Sequence, residues 1–240
     1  MIPGGDRYVW LVWALAFLVP WAALYAFFAA QRRVMLWSSV LTALFGLTEP
    51  LFVPEYWNPP SLFDLAQRTG FDLESLIFCF GIGGVGSVLY DALTQSRLAP
   101  VPAHERHGAR HRFHRAALAM PVVTFLAVCF LPWNPIYPSL IAMAAGAAAS
   151  ILCRPDLARK TLIGGVLFGG SYLAFLVSLE MMAPGYIARV WNLPALSGVL
   201  FGRFPIEELL FGFAFGLYWT GVYEHIAWRR LVPSLAVDRS

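Results

Sequence analysis

The sequence predicts an all-α membrane protein of seven transmembrane helices, amino terminus outside and carboxyl terminus in the cytoplasm. Three observations predict it. Of 240 residues, 59% are apolar and 13% charged, with a mean hydropathy of +0.64, whereas soluble domains carry about 25% charged residues. Apolar runs recur at the length of a bilayer crossing, about 20 residues. Basic residues also segregate between alternate connections, as cytoplasmic loops require.

The apolar segments fall at 8–30, 34–53, 71–93, 116–131, 136–153, 161–183 and 204–228. Prolines and charges fill the gaps, where helices end. The first segment exceeds a signal-peptide core of roughly 7–15 residues and no A-x-A-like site follows it, so it reads as a retained helix. The fourth and fifth are short, with only Pro132-Trp133-Asn134-Pro135 between them.

Seven spans place Arg32, Arg33, Arg97, Arg106, Arg110, Arg112, Arg115, Arg154, Arg159, Lys160, Arg229, Arg230 and Arg239 on one side. The other side keeps Arg7, Arg68, Arg189 and Arg203. The cationic side is expected to be cytoplasmic, so in a bacterium the chain would be a multi-pass inner-membrane protein. The basic loop Ser96–Arg115 carries His104, His107, His111 and His114 at helical spacings. It reads as a solvated loop, with a metal or lipid-headgroup site as the alternative. Cys79, Cys129 and Cys153 lie in apolar runs without CxxC or Cys/His metal spacing, so neither a disulfide framework nor a metal site is expected.

The chain repeats itself. Phe71-Asp72-Leu73-Glu74-Ser75 through Phe80 aligns with Phe204-Pro205-Ile206-Glu207-Glu208 through Phe213, and the register continues from Tyr90-Asp91 to Tyr223-Glu224. Trp57-Asn58 matches Trp191-Asn192, and Glu49 matches Glu180. Spans one to three thus correspond to spans five to seven, in parallel orientation, with span four as linker. The expected division is residues 1–95 as the first three-helix repeat, 96–134 as basic loop and linker helix, and 135–240 as the second repeat.

Glu49, Glu74, Glu180, Glu207 and Glu208 lie at or just inside the non-cytoplasmic span ends. Acidic groups in apolar surroundings mark functional sites by default, and the repeat predicts that these five share one polar site. The plainer alternative is capping, because Glu74, Glu207 and Glu208 occupy first turns where a carboxylate complements the helix dipole. Glu207 and Glu208 differ by about 100° around a helix, so one can serve as acid while the other orients it. Tyr56-Trp57-Asn58 and Trp191-Asn192 precede these glutamates. They are either interfacial anchors or the walls of a pocket whose aromatic faces stabilise a cation. Gly81-Ile82-Gly83-Gly84-Val85-Gly86 fits G-x-G-x-x-G but interrupts a span, and reads as a helix-packing surface rather than a nucleotide fingerprint.

Phe204-Pro205-Ile206-Glu207-Glu208, preceded by Trp191, resembles the P-x-E-E motif of the lycopene cyclase domain, the flavin-independent membrane cyclases of carotenoid-making organisms. The chain resembles the fused form, in which two three-helix units are joined. In the first half Asp72 and Ser75 replace the proline and the second glutamate. The resemblance implies proton-initiated cyclisation of a polyene end group through a carbocation, an intramolecular lyase reaction of lycopene beta-cyclase type with no net redox and no cofactor. Glu207 or Glu208 would be the acid and Glu74 base or partner, with Glu49, Glu180, Tyr56, Trp57, Asn58, Trp191, Asn192 and Pro205 supporting. The implied partners are an apolar polyene arriving from the bilayer, membrane lipids, no nucleic acid, and a second copy of the chain if it oligomerises. An intramembrane protease reading fails on Gly212, where its motif needs Arg, and a retinal-binding reading on the lack of a lysine in the last span. A small-solute transporter or isoprenoid-binding protein with three-one-three topology is the alternative from another class.

Overall fold

The computed structural model describes residues 5–232; Arg239 and the carboxyl terminus lie outside them. The described chain is all-α apart from two short antiparallel strand pairs. Its main helices are α1 (Val9–Phe27), α2 (Arg32–Ala43), α3 (Leu73–Thr94), α4 (His114–Val128), α5 (Ile136–Cys153), α6 (Ala158–Met182), α7 (Ile206–Trp219) and the short α8 (Val222–Ile226). Strand β1 (Arg97–Pro100) pairs with β4 (Arg229–Val232), and β2 (Leu200–Phe201) with β3 (Phe204–Pro205).

Five helical stretches are long and apolar enough to cross a membrane: Gly5–Phe27, Ala29–Leu51, Leu73–Thr94, Ile136–Cys153 and Pro155–Met182. Two expected spans are shorter. The fourth is the 15-residue α4. The seventh is the 14-residue α7, broken at Gly221 before α8. Residues 204–205 ahead of α7 form a strand: proline disfavours helical backbone at the preceding Phe204, Pro205 is itself extended, and the helix starts at Ile206. The second span is α-helical only to Ala43. Leu44–Leu51, with Gly46 and Pro50, continues as a 3₁₀ turn that carries Glu49. Large apolar side chains stand exposed along these helices, among them Val19, Val122, Leu152, Val166 and Met181. An apolar exterior of this extent suits lipid rather than water, as an integral membrane protein requires.

The two halves pack alike. Helix α3 lies against α1 and α2, α7 against α5 and α6, and α3 meets α6 and α7 between the halves. The glycines of Gly81–Gly86 sit inside α3, not at a strand-to-helix turn. A Cβ on Gly83 would stand 2.1 Å from Thr42 Oγ1, and one on Gly84 2.2 Å from Trp21 Nε1. Small residues here are a condition for close helix approach.

The basic end closes on buried charge. Lys160 Nζ on α6 donates to Asp91 Oδ2 on α3 at 2.7 Å and to Glu224 Oε1 on α8 at 2.6 Å. All three side chains are 0% exposed, so the two carboxylates depend on the ammonium for their charge balance. Breaking a buried pair by deleting one partner costs about 3–5 kcal/mol. Lys160→Met therefore leaves two buried carboxylates facing each other and is expected to lower the unfolding midpoint in detergent well below that of the parent. Thermal unfolding followed by tryptophan fluorescence checks this; an unchanged midpoint contradicts it.

Candidate active site

At the opposite end from the ion cluster, the helices line a partly open cavity of about 440 Å³. Its wall is aromatic and aliphatic: Trp10 of α1, Phe78 and Ile82 of α3, Phe175 and Leu176 of α6, and Phe211 and Phe215 of α7. Two carboxylates face into it, Glu49 and Glu208.

The start of α7 aims Glu208 inward. With Ile206 as the first helical residue, Glu207 and Glu208 are consecutive and diverge by about 100°. Glu208 faces the cavity and Glu207 faces the preceding loop. Trp191 Nε1 donates to Glu208 Oε1 at 2.8 Å, the Tyr56 hydroxyl bonds the same oxygen, and the Tyr172 hydroxyl donates to Oε2 at 2.5 Å. Across the cavity Trp57 Nε1 donates to Glu49 Oε1 at 2.5 Å.

The aromatic segments that hold these carboxylates also hold each other. Trp57 and Trp191 form an antiparallel bridge, with Asn58 N–H donating to Val190 O and Asn192 N–H to Tyr56 O, both at 2.9 Å. Trp57 thus pairs with its counterpart Trp191 in the other half, and the residue on either side of each bonds across the bridge. Tyr56, Trp57 and Trp191 are buried on the cavity wall, while the Asn192 amide donates to the Glu55 carbonyl at 3.0 Å and Asn58 Oδ1 accepts from Gln67.

The other three glutamates lie elsewhere. Glu74 Oε1 accepts from the Leu62 N–H at 2.8 Å. Glu207 Oε1 accepts from the Ser197 N–H at 2.9 Å and from the Tyr137 hydroxyl at 2.7 Å. In matching positions, both fasten the loop that precedes their own helix, and neither lines the cavity. Glu180 accepts from the Gly185 N–H at 2.7 Å and pairs with Arg203 at 3.3 Å, also away from it. Ser75 stands at the position corresponding to Glu208 and lines the cavity, with its N–H and hydroxyl turned to the helix cap Asp72.

Tyr172 and Trp10 went unnoticed in the sequence. The signal for Tyr172 was its depth: a mid-span hydroxyl needs a buried partner. Trp10 offered none among nine tryptophans.

Residues 134–226 match the family model for lycopene cyclase. The second half of the chain is similar to that family. The match contains the Pro205-Ile206-Glu207-Glu208 start of α7 together with Trp191 and Tyr172, so the matched region supplies most of the Glu208 surroundings. No curated protein and no solved structure matches the chain.

Loss of either loop-fastening carboxylate leaves a backbone donor without its partner, at a cost of about 1–3 kcal/mol. Glu74→Ala is expected to speed amide exchange around Leu62, and Glu207→Ala around Ser197, each confined to its own loop. Hydrogen exchange read by mass spectrometry checks this; equal protection in parent and variants refutes it.

Proposed function

We propose that this chain is a carotenoid cyclase of the lycopene cyclase type, closing a ring on a polyene end group with Glu208 as a reacting carboxylate. One observation carries the reading: Glu208 faces an apolar, aromatic-walled cavity, held by two hydroxyls and an indole N–H. The family match over residues 134–226 supports it.

The reaction is an isomerisation. A carboxylic acid adds its proton to a terminal double bond, an internal double bond captures the resulting cation and closes the ring, and a carboxylate removes a ring proton. One proton enters and one leaves, so no oxidant or reductant takes part. A carboxyl group that both gives and takes a proton needs partners that tolerate both states. A tyrosine hydroxyl donates to a carboxylate and accepts from a carboxylic acid by rotating, and Glu208 has two of them. Glu49 supplies a second carboxylate on the same cavity. The aromatic faces of Trp10, Phe78 and Phe211 stabilise positive charge as it develops, and the dry wall keeps water from capturing the cation.

Substrate access fits a lipid-soluble chain. Phe45 and Leu51 from the first half, and Val122 and Leu126 of α4, line the cavity and are also exposed on the outer surface. The cavity thus opens sideways, toward the place of the bilayer. An almost wholly apolar wall suits a polyene better than the hydrophilic solute of a transporter.

The reading includes the finer membrane topology: seven crossings as two parallel three-helix units with a linker, amino terminus outside. Both α4 and α7 would then cross as short helices. The paired backbone bridge at Trp57 and Trp191 and the like packing of the two halves support the repeat. Glu55 and His104 are both exposed. In intact cells an impermeant maleimide is expected to label Glu55→Cys and to spare His104→Cys. The reverse pattern inverts the topology.

The decisive comparison is between neighbouring glutamates. In cells that accumulate lycopene, the parent chain is expected to yield cyclised pigment, read by chromatography. Losing general acid catalysis costs about 10²–10⁴-fold, so Glu208→Gln should cut cyclisation toward the upper end of that range at normal expression. Glu207→Gln, which alters only the loop clasp, should stay within about tenfold of the parent, one pKa-sized step of barrier. Substantial cyclisation by Glu208→Gln would remove Glu208 from the chemistry.

A further inference from the structure

Away from the cavity, at the basic end, the fold gathers four metal-ligating side chains from segments far apart in sequence. Cys153 is the last residue of α5, His111 and His114 lie just before and at the start of α4, and His225 lies in α8. One ligand atom each from His114, Cys153 and His225 fall within 4.8 Å of one another. Cys153 Sγ is 3.6 Å from His114 Nδ1 and 3.8 Å from His111 Nδ1. The His114 and His225 rings stand 4.6 Å apart, nearly perpendicular.

Hydrogen bonding meets only part of this group. The Cys153 thiol can donate to one imidazole and accept from the other, but His225 is left incomplete. His225 is 1% exposed; its Nδ1 meets Ser150 Oγ at 3.2 Å, and its Nε2 has no partner among the described residues. A buried ring nitrogen without a partner is costly. A divalent ion satisfies the thiolate and the imidazoles together. With Zn–S near 2.3 Å and Zn–N near 2.0–2.1 Å, a tetrahedral site sets sulfur and nitrogen about 3.6 Å apart, the spacing of Cys153 and His114.

We propose that Cys153, His114 and His225, with His111 as a further donor, form a site for a zinc-class divalent transition-metal ion that ties α4, α5 and α8 together. Mixed thiolate and imidazole donors select such an ion over magnesium or calcium. The neighbouring cation does not forbid it. Arg154 is paired in a fork with Asp156 at 2.8 and 2.6 Å, so its charge is balanced beside the cluster. Ser150 on the far ring nitrogen of His225 fixes the ring, as partners of metal-bound histidines commonly do. Trp228, stacked on His114 at 4.0 Å, closes one side.

The probe is Co²⁺, added to the full chain purified in detergent and stripped with chelator. The expected result is a thiolate-to-cobalt charge-transfer band with the visible absorption of tetrahedral cobalt, both displaced by Zn²⁺, which binds more tightly in the divalent series. Cys153→Ser should remove the charge-transfer band, while Cys79→Ser and Cys129→Ser keep it. His225→Ala should weaken binding by more than the 10–100-fold typical of losing an outer-shell partner. Absence of the band in the parent, or its survival in Cys153→Ser, overturns the site. A second measurement needs no substitution: Zn²⁺ should protect Cys153 and not Cys129 from alkylation in the parent, read by mass spectrometry. Equal alkylation of Cys153 with and without zinc also overturns it. Neither readout involves cyclisation, so the site stands or falls apart from the proposed reaction.

Discussion

A carboxylate inside an apolar cavity persists only where donors surround it, and Glu208 imposes that condition on the whole cavity end. Leaving such a group without partners costs several kcal/mol. Its three donors come from different places: Tyr56 from the first half, Trp191 from the loop before α7, and Tyr172 from the middle of α6. They converge only if the two loops meet, and the backbone bridge between Trp57 and Trp191 is how they meet. The same bridge sets Trp57 against Glu49. Holding one carboxylate thus orders the walls around both.

The opposite end solves a related problem by ion pairing. There Lys160 sits between Asp91 and Glu224, and Arg154 reaches Asp156 and the carbonyls of Glu224 and Arg229. The β1–β4 pair joins the connections at that same end. Fixed charges suit a place that only has to hold helices together. On the proposed reaction a proton comes and goes at the other end, and the tyrosine hydroxyls there suit it because each can donate or accept, while the indole N–H only donates. The two ends of one bundle are therefore built from different chemistry, and the residue types report which end is which.

Helix positions were legible because lipid demands long apolar runs, and most spans begin and end within a few residues of the sequence boundaries. The exceptions have local causes: Pro50 and Gly46 loosen the end of the second span, and Pro205 and Gly221 shorten the seventh. The carboxylate pair was legible in part. Helical geometry alone separates Glu207 from Glu208 by about 100°, but nothing in the sequence says which of them faces inward, because that depends on how α7 rolls against α5 and α6. The division of Glu49 from Glu180 was not legible either, since both occupy matching span ends and only packing places one on the cavity. The meeting of Cys153 with His111, His114 and His225 was hidden for a plainer reason: the four lie in four separate elements, and no spacing along the chain encodes it.

The departure of the first half from the family motif acquires a structural meaning. Were the halves identical, a glutamate would stand at position 75 and face Glu208 through equal surroundings. Ser75 occupies that place instead, turned to the helix cap Asp72, and the 3₁₀ extension of the second span brings Glu49 to the cavity. The two carboxylates consequently have unequal partners, three donors around Glu208 and one indole on Glu49. Two equivalent acids in one dry cavity would compete for the same proton, whereas unequal environments let one give a proton while the other receives one. On the proposed reaction, the loss of symmetry in the sequence is what makes the two carboxylates different enough to divide the work of a single proton cycle.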